Sequence, residues 1–301
     1  MTRLAFTRVR RSYSYAIVTV LFWSTVATAF KIALQHLDIY QLIFYSVLSS
    51  VTVLVGCFFV RNGVLPGARE LWRVFSSHWR ITLIAGALNP LIYYLILFAA
   101  YDRLPAQVAQ PINYTWAIVL TFMSMLILKQ AMTRQDLLAA FVCYAGVVII
   151  IGQGGWSITA IPDLPGVALA LLSTLIWASY WIINLHDDRD PLAALCLNFI
   201  VSLAPAFLLC SLLSDPFAIT PMGAASAVYI GLFEMGLAFL CWSQALKLAE
   251  NTSRVSNLIF LSPFLSLIFI NQVLDEPIFI TTYVGLLVIV TGLVIQRLRF
   301  N

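Results

Sequence analysis

The sequence has very little charge for its length. Only 10% of its 301 residues are Asp, Glu, Lys or Arg, whereas 61% are hydrophobic and the mean hydropathy is +0.94. A soluble globular domain carries about 25% charged residues, so this chain cannot cover its exterior with a water-facing surface. The net charge of +4 is small, and short basic loops account for it. The composition excludes a soluble or nucleic-acid-binding protein and predicts a membrane protein.

Residues that carry catalysis or bind metals are also scarce. His36, His78 and His186 are predicted to lie in loops, and the sequence shows no Ser/His/Asp set, carboxylate pair or metal-type cluster. The five Cys residues lie in apolar stretches without a Cys-x-x-Cys pair, which favours small buried side chains over disulfides or ligands. We therefore expect no enzymatic activity, no metal site and no cofactor.

The sequence is instead made of long apolar segments separated by short polar breaks. We predict an all-α membrane protein with ten transmembrane helices at residues 14–34, 39–60, 80–101, 106–128, 136–152, 164–185, 191–213, 224–247, 253–274 and 278–297. Segments of this length cross a hydrocarbon core of about 30 Å at about 1.5 Å per residue. The longest break, residues 61–79, is interpreted as a cytoplasmic loop, and no connection has room for a soluble domain.

The basic residues lie on one side of these segments. If the first span begins in the cytoplasm, every Arg and Lys except Arg103 and Lys31 lies in or beside a cytoplasmic loop. By the positive-inside rule, both termini are then cytoplasmic, as in a multi-pass protein of the cell inner (plasma) membrane. Lys31, near the outer end of the first span, either reaches the interface or pairs with Glu234 or a substrate carboxylate.

The two halves of the chain resemble each other. Residues 21–25 align with residues 175–179, and residues 146–149 align with residues 292–295. We predict two five-helix repeats, at residues 14–152 and 164–298. Because five is odd, the second repeat is inverted in the membrane. Inverted repeats place a substrate site near the midplane at their interface, and their symmetry permits alternating access.

This organisation resembles the drug/metabolite transporter (DMT) superfamily in its EamA-type branch. The motifs that carry the resemblance are Ala245-Leu246-Lys247, Leu261-Ser262-Pro263 and Leu274-Asp275-Glu276-Pro277, followed by Gly285 and Gly292. The first half departs from the family pattern at Lys129-Gln130. Residues 21–25, 112–116 and 176–180 are further similar to YddG-type aromatic amino acid exporters. The resemblance implies a secondary transporter that exports aromatic or neutral amino acids. The alternatives are export of cationic drugs or other metabolites and, less favoured, a channel.

Glu234 is the only acidic residue near the middle of a predicted span. A carboxylate at the bilayer centre costs about 2.5–3.5 kcal/mol on insertion scales, so it must face protein or water. It is interpreted as a contact for a substrate ammonium group or as a protonatable coupling group. The alternative is a protonated Glu that hydrogen-bonds between helices.

Aromatic and amide residues share faces of several predicted helices. Ser173, Trp177 and Tyr180 form one stripe in the sixth span. Rings at mid-span suit a flat, amphipathic solute, whereas the amides either contact that solute or hydrogen-bond between helices. The predicted substrate-binding residues are Trp23, Asn89, Tyr93, Gln110, Tyr114, Trp177, Tyr180, Glu234, Trp242 and Asn257.

Prolines interrupt several of the predicted spans, and each removes a backbone hydrogen bond. Pro90, Pro111 and Pro263 are predicted hinges. The expected partners are an amino-acid-like small molecule and membrane lipid, without nucleic acid. A monomer is sufficient to enclose the transport pathway, and the sequence is also compatible with a dimer.

Overall fold

A computed structural model describes residues 3–128, 133–152, 163–250, 255 and 257–297. Across these residues the chain is helical and has no β-strand, which confirms the all-α prediction for this part. Positions Lys129, Gln130, Arg254 and Arg299 lie outside the described residues, as does residue 298 at the end of the second predicted repeat. The side chain of the predicted site residue Asn257 also lies outside them, and so do those of Arg3 and Arg297.

The helices follow the predicted apolar segments. They are α1 (Arg3–Leu34), α2 (Ile39–Asn62), α3 (Val64–Gly86), α4 (Tyr93–Arg103), α5 (Ala106–Tyr114), α6 (Trp116–Leu128), α7 (Arg134–Ile151), α8 (Leu164–Asn184), α9 (Pro191–Leu213), α10 (Pro221–Tyr229), α11 (Ala238–Leu248), α12 (Ser262–Leu274) and α13 (Ile280–Arg297). Two segments, Ala87–Ile92 and Ile230–Leu237, are π-helical, and Asn257–Leu261 is a 3₁₀ helix.

Polar capping residues begin several of these helices. The side chain of each accepts a hydrogen bond from a backbone N–H of the first turn, and they are Asp38, Thr133, Asp163, Asp190 and Thr220. Such caps satisfy N–H groups that a helix start leaves unpaired, and removing one costs about 1 kcal/mol. Because these residues separate apolar runs in the sequence, helix starts lie close to the predicted boundaries.

The prediction of a loop at residues 61–79 is wrong. Helix α3 runs through this region, and only His78 has non-helical backbone angles (φ −132°, ψ 27°). The charged residues that indicated a loop, such as Arg69 and Arg73, lie on the exposed side of the helix, whereas Gly67 and Leu71 are buried. The segment is therefore an amphipathic helix, and His78 lies at its kink.

Seven helical stretches among the described residues are long and apolar enough to cross a membrane. They are Arg8–Leu34, Ile39–Asn62, Val64–Arg103, Arg134–Ile151, Leu164–Asn184, Pro191–Leu213 and Pro221–Leu248. The shorter apolar helices Leu258–Leu274 and Ile280–Gln296 occupy the last two predicted spans. Ten crossings, their inverted arrangement and the cytoplasmic termini stay predictions.

The chain folds into two compact units, each with helices from both predicted repeats. Unit 1 comprises Met1–Leu91 and Asp188–Ser266, and unit 2 comprises Ile92–Asp187 and Leu267–Asn301. Within unit 1, α2 packs on α9 and α1 packs on α11. Within unit 2, α7 packs on α13 and α4 packs on α8.

Glycine permits the close packing of α7 on α13. A Cβ atom at Gly146 would lie 2.6 Å from the carbonyl oxygen of Gly285, and one at Gly292 would lie 2.8 Å from the carbonyl oxygen of Ala139. Backbones approach this closely only where a side chain is absent. Gly146 and Gly292, which align in the sequence repeat, therefore lie in the same interhelical contact.

Candidate functional site

Unit 2 gathers aromatic side chains around Trp177. We call this set the ring cluster, and it comprises Tyr93, Trp116, Trp177, Tyr180 and Trp181. Tyr93 stacks on Trp177 with ring centroids 4.5 Å apart, and Tyr180 stacks on it at 5.6 Å. Trp116 and Trp181 meet Trp177 edge-on at 6.5 Å and 6.0 Å. Stacked and edge-on pairs are the favoured ring geometries, so the rings fix one another in place.

A chain of neutral hydrogen bonds orients one edge of the ring cluster. The hydroxyl of Tyr93 donates to Oδ1 of Asn113 at 3.3 Å, and Nδ2 of Asn113 donates to Oγ of Ser173 at 2.9 Å. Ser173 in turn donates to the carbonyl oxygen of Ala170 at 2.6 Å. These bonds link α4, α5 and α8 through uncharged groups.

On α5 and α8 of unit 2, two buried polar atoms have no hydrogen-bond partner among the described residues. They are Oε1 of Gln110, an acceptor, and Nε1 of Trp181, a donor. An unmet buried polar group costs roughly 1–3 kcal/mol, so either atom gains free energy when a solute or water bonds to it. The contact of Gln110 with substrate stays a prediction, and Trp181 is a further candidate.

In unit 1, Glu234 lies within the π-helical segment Ile230–Leu237 and is 8% exposed. This segment packs against α2, where a Cβ atom at Gly231 would collide with the carbonyl oxygen of Ser46. π-Helical turns occur often at functional sites because they change the direction of side chains within a helix. Glu234 is thus a buried carboxylate carried by an irregular, tightly packed helical turn.

Asn89 lies at a break in the helical stretch Val64–Arg103. Its backbone is extended (φ −137°, ψ 116°) immediately before Pro90, and its side chain is fully buried. Neither polar atom of its amide has a hydrogen-bond partner among the described residues. The predicted hinge at Pro90 therefore coincides with a real break in the helix, although hinge motion stays a prediction.

The other predicted hinges differ in their setting. Pro111 lies inside α5, one turn before that helix ends at Tyr114. Pro263 is the second residue of α12 and follows the 3₁₀ helix Asn257–Leu261. Proline is tolerated in the first turn of a helix, so Pro263 marks a helix start.

Trp23 and Trp242 lie together in unit 1, with ring centroids 5.6 Å apart. Trp242 belongs to an apolar cluster with Ala16, Ala245 and Val255, against which Trp23 packs. This packing of α1 on α11 is a structural role for both rings. Their contact with substrate stays a prediction, as does that of Tyr114, which is half-buried at the end of α5.

The sequence profile of the EamA-like transporter family matches residues 10–152 and residues 164–297. The chain belongs to this family. The resemblance to the EamA-type branch is thereby confirmed. The family's name identifies transport as the activity of this multi-pass membrane protein.

Several curated proteins are similar to this chain over most of its length. An "Uncharacterized transporter" of Archaeoglobus fulgidus is 25% identical over 90% of this chain and 92% of its own. The "Uncharacterized transporter YvbV" of Bacillus subtilis is 25% identical over 81% of this chain and 80% of its own. "Protein PecM" of Dickeya dadantii is 26% identical over 77% of this chain and 76% of its own.

A solved crystal structure of a protein has the same fold as this EamA-like chain. The two are 18% identical, and they superpose with a TM-score of 0.67 over 95% of this chain and 96% of the other. At this identity the likeness shows the fold alone.

The structure adds residues of this EamA-like protein that the sequence stripe left out. Trp181 lies four residues after Trp177, which is the spacing of neighbours on a helix surface. This spacing is the sequence signal for Trp181. Trp116 stacks on Trp181 at 6.2 Å from a separate helix, so no local spacing reveals it.

Gln107, three residues before Gln110 in α5, has a structural role in unit 2. Its side chain donates to the carbonyl oxygen of Pro277 at 2.8 Å and accepts from the hydroxyl of Thr282 at 2.8 Å. The carboxylate of Glu276 accepts from the backbone N–H groups of Ala106 and Gln107 at 3.1 Å and 3.2 Å. Glu276, part of the motif that resembles the family, thus caps the start of α5.

Proposed function

We propose that this EamA-like protein exports small amphipathic metabolites across the cell inner membrane, with aromatic and neutral amino acids as its main substrates. Family membership supports the transport activity. The observation that carries the substrate class is the ring cluster, in which a central, 7% exposed Trp177 is held between Tyr93 and Tyr180. A rigid, neutral aromatic surface of this kind favours solutes with a flat apolar part.

The strength of ring contacts suits a carrier. Each aromatic pair contributes about 0.5–1.5 kcal/mol beyond its buried area, so two or three contacts give a modest affinity from which the solute is readily released. Gln110 and Trp181 supply an acceptor and a donor for the polar part of a solute. In this proposal the cluster selects the ring, and hydrogen bonds orient the molecule.

Glu234 is proposed to take up positive charge during transport, either the ammonium group of the substrate or a proton. Its burial in an irregular turn of unit 1 supports this role, because a carboxylate in such a place changes charge with its surroundings. The predicted inverted repeat supports alternating access as the mode of transport.

Uptake by proteoliposomes tests the substrate class. We would reconstitute the purified protein and measure counterflow of radiolabelled Phe, Trp, Thr and a sugar phosphate. The expected result is saturable flux of Phe and Trp, weaker flux of Thr and none of the sugar phosphate. Absence of all amino acid flux would refute the substrate class and leave the family membership intact.

Cationic amphipathic compounds are the second candidate class. Aromatic faces attract cations, and a buried carboxylate such as Glu234 attracts them too. Competition of a lipophilic cation with labelled Phe distinguishes the two classes. Flux of the cation without any flux of Phe would favour this second candidate.

A further inference from the structure

The helical stretch Val64–Arg103 is too long for a single membrane crossing. Its 40 residues span about 60 Å at about 1.5 Å per residue, twice the thickness of a hydrocarbon core of about 30 Å. The helix leaves regular geometry at His78, just before the predicted span at residues 80–101. Residues 64–77, which we call the leading segment, therefore lie outside the hydrocarbon core of the membrane.

The leading segment has a buried face and an exposed apolar face. Gly67 and Leu71 are buried, and a Cβ atom at Gly67 would lie 2.9 Å from the ring of Phe59 in α2. Leu65 and Trp72 lie on another side of the helix and are 72% and 70% exposed. Packing within unit 1 thus accounts for one face of the segment and leaves Leu65 and Trp72 outside.

Basic side chains border the exposed apolar face. Arg69 and Arg73 follow Leu65 at intervals of four residues, so they form the neighbouring row on the helix surface, and both are exposed. Glu70, the acidic residue of the segment, pairs with Arg73 at 2.6 Å. Arg80, just beyond the kink, is also exposed. The row is therefore positive in sum and lies beside apolar side chains.

We propose that the leading segment lies in the membrane surface and binds anionic phospholipid headgroups. Leu65 and Trp72 enter the boundary between headgroups and acyl chains, to a depth of about 5–10 Å. Arg69, Arg73 and Arg80 contact lipid phosphates, for which the guanidinium fork is well suited. The segment anchors the entry into the following span.

Two observations favour lipid over a protein partner. The exposed apolar face continues past the kink into Leu83 and Ile84, which are exposed on the predicted span and must meet acyl chains. Tryptophan is also enriched where headgroups meet hydrocarbon, and Trp72 and Trp79 are both exposed, one on each side of the kink. The surface is thus continuous with one that already faces lipid.

Fluorescence quenching of Trp72 in reconstituted protein tests the proposal. The signal of Trp72 is the difference between the wild type and Trp72→Phe, measured in phosphatidylcholine vesicles with or without phosphatidylglycerol. We expect stronger quenching by lipids brominated near the headgroup than by lipids brominated near the bilayer centre. Acrylamide, an uncharged aqueous quencher, should quench Trp72 weakly in the vesicles that contain phosphatidylglycerol and more strongly in the vesicles without it.

Charge variants test the role of the basic row. Each phosphate-facing Arg is worth about a fivefold change in surface binding, so Arg69→Gln with Arg73→Gln should raise acrylamide access to Trp72 many-fold in anionic vesicles. The matched control is Arg10→Gln with Arg11→Gln, two exposed basic residues of α1. The control should leave the Trp72 signal unchanged.

Three outcomes would overturn the proposal. Strong acrylamide quenching of equal size in both vesicle types would place the segment in water. Protection from acrylamide and from both brominated lipids would show that protein covers Trp72. Shallow quenching that is unaffected by phosphatidylglycerol and by the Arg69 and Arg73 substitutions would remove the anionic lipid from the interaction.

Discussion

In unit 1 the buried residues include charged groups, whereas in unit 2 they form an aromatic cluster. Glu234 and Arg189 of unit 1 are 8% and 6% exposed, and Arg189 donates to the hydroxyl of Thr82 at 2.6 Å. Unit 2 surrounds Trp177 with rings and a neutral hydrogen-bond chain. Under the proposed function, each unit supplies a different part of the chemistry that an amphipathic solute requires.

This difference separates two properties of a carrier. Aromatic packing is short-range and depends on shape, so the rings of unit 2 should decide which solutes are accepted. A buried carboxylate responds to protons and to cations, so Glu234 should decide how flux depends on pH. The comparison fails if a substitution in one unit changes the property that we assign to the other.

The largest effect is expected from Trp177→Ala. The change removes stacking with Tyr93 and Tyr180 and leaves a cavity in the middle of the ring cluster. We expect loss of about tenfold in the affinity for Phe, because the change removes one ring contact of about 0.5–1.5 kcal/mol and releases the rings that pack on Trp177. Counterflow of labelled Phe over a range of concentrations measures this loss.

Trp177→Phe is the matched control, because it retains a ring and should keep most of the affinity. Thermal unfolding of both variants in detergent separates a lost contact from a lost fold. Unchanged Phe affinity in a folded Trp177→Ala protein would remove the ring cluster from substrate selection.

A smaller effect is expected from Glu234→Gln, which keeps the shape of the side chain and removes its charge. The pH dependence of Phe flux should disappear, and the rate at neutral pH should fall about tenfold, equivalent to one charge contact of about 1.4 kcal/mol. Proteoliposome flux measured across a pH series checks both effects. Trp177→Phe should retain the pH dependence of the wild type. Normal flux of the Gln variant at every pH would separate Glu234 from transport.

A third test, also within unit 1, concerns the packing beside Glu234. Gly231→Ala places a Cβ atom against the carbonyl oxygen of Ser46, so α2 and the π-helical segment must move apart. Overpacking of this kind costs about 1–3 kcal/mol. Gly56→Ala is the control, because a Cβ atom there meets no described atom within 4 Å. Equal unfolding temperatures for the two variants would show that the contact of the segment with α2 is loose.

Helix starts and the face of Trp177 follow from local sequence. Asp38 and Asp163 begin helices because a capping residue acts within one turn, and Trp177 and Tyr180 share a face by helical spacing alone. The contact between Trp177 and Tyr93 joins helices far apart in the chain, and the sequence has no signal for it. Such pairs depend on tertiary packing.

The charged region at residues 61–79 shows how composition misleads. Arg69, Glu70 and Arg73 indicated a polar loop, yet Gly67 and Leu71, four residues apart, lie on the buried face of a helix. The period of the apolar residues carried the correct information, and the charge content obscured it. The buried amide of Asn89 and the π-helical turn around Glu234 had no signal of this kind, because both depend on neighbouring helices.

The smallest effect is expected from substitutions in two ion pairs. One pair lies at the start of α9 in unit 1, and the other lies at the start of α8 in unit 2. Arg61 binds Asp190 at 2.7 Å in unit 1, and Arg103 binds Asp163 at 2.9 Å in unit 2. Burial alone would raise the pKa of Asp190, but the hydrogen bond from Arg61 and that from the backbone of Ala193 leave it below its ordinary value of 3.8. The pKa of Asp163 is lowered by the backbone N–H of Gly166 and then by Arg103.

A carboxyl whose pKa is lower in the folded state stabilises the fold above its ordinary pKa of 3.8, and this contribution is lost as the pH falls through the folded pKa. Asp190→Asn retains a side-chain oxygen for the cap, so near neutral pH it should cost only about 0.2–1 kcal/mol, since both partners are nearly half exposed. The difference from the wild type should vanish in strong acid. Unfolding temperatures of the wild type, Asp190→Asn and Asp163→Asn across a pH series measure this. An Asp190→Asn deficit that persists below the folded pKa would assign the loss to the cap rather than to the charge.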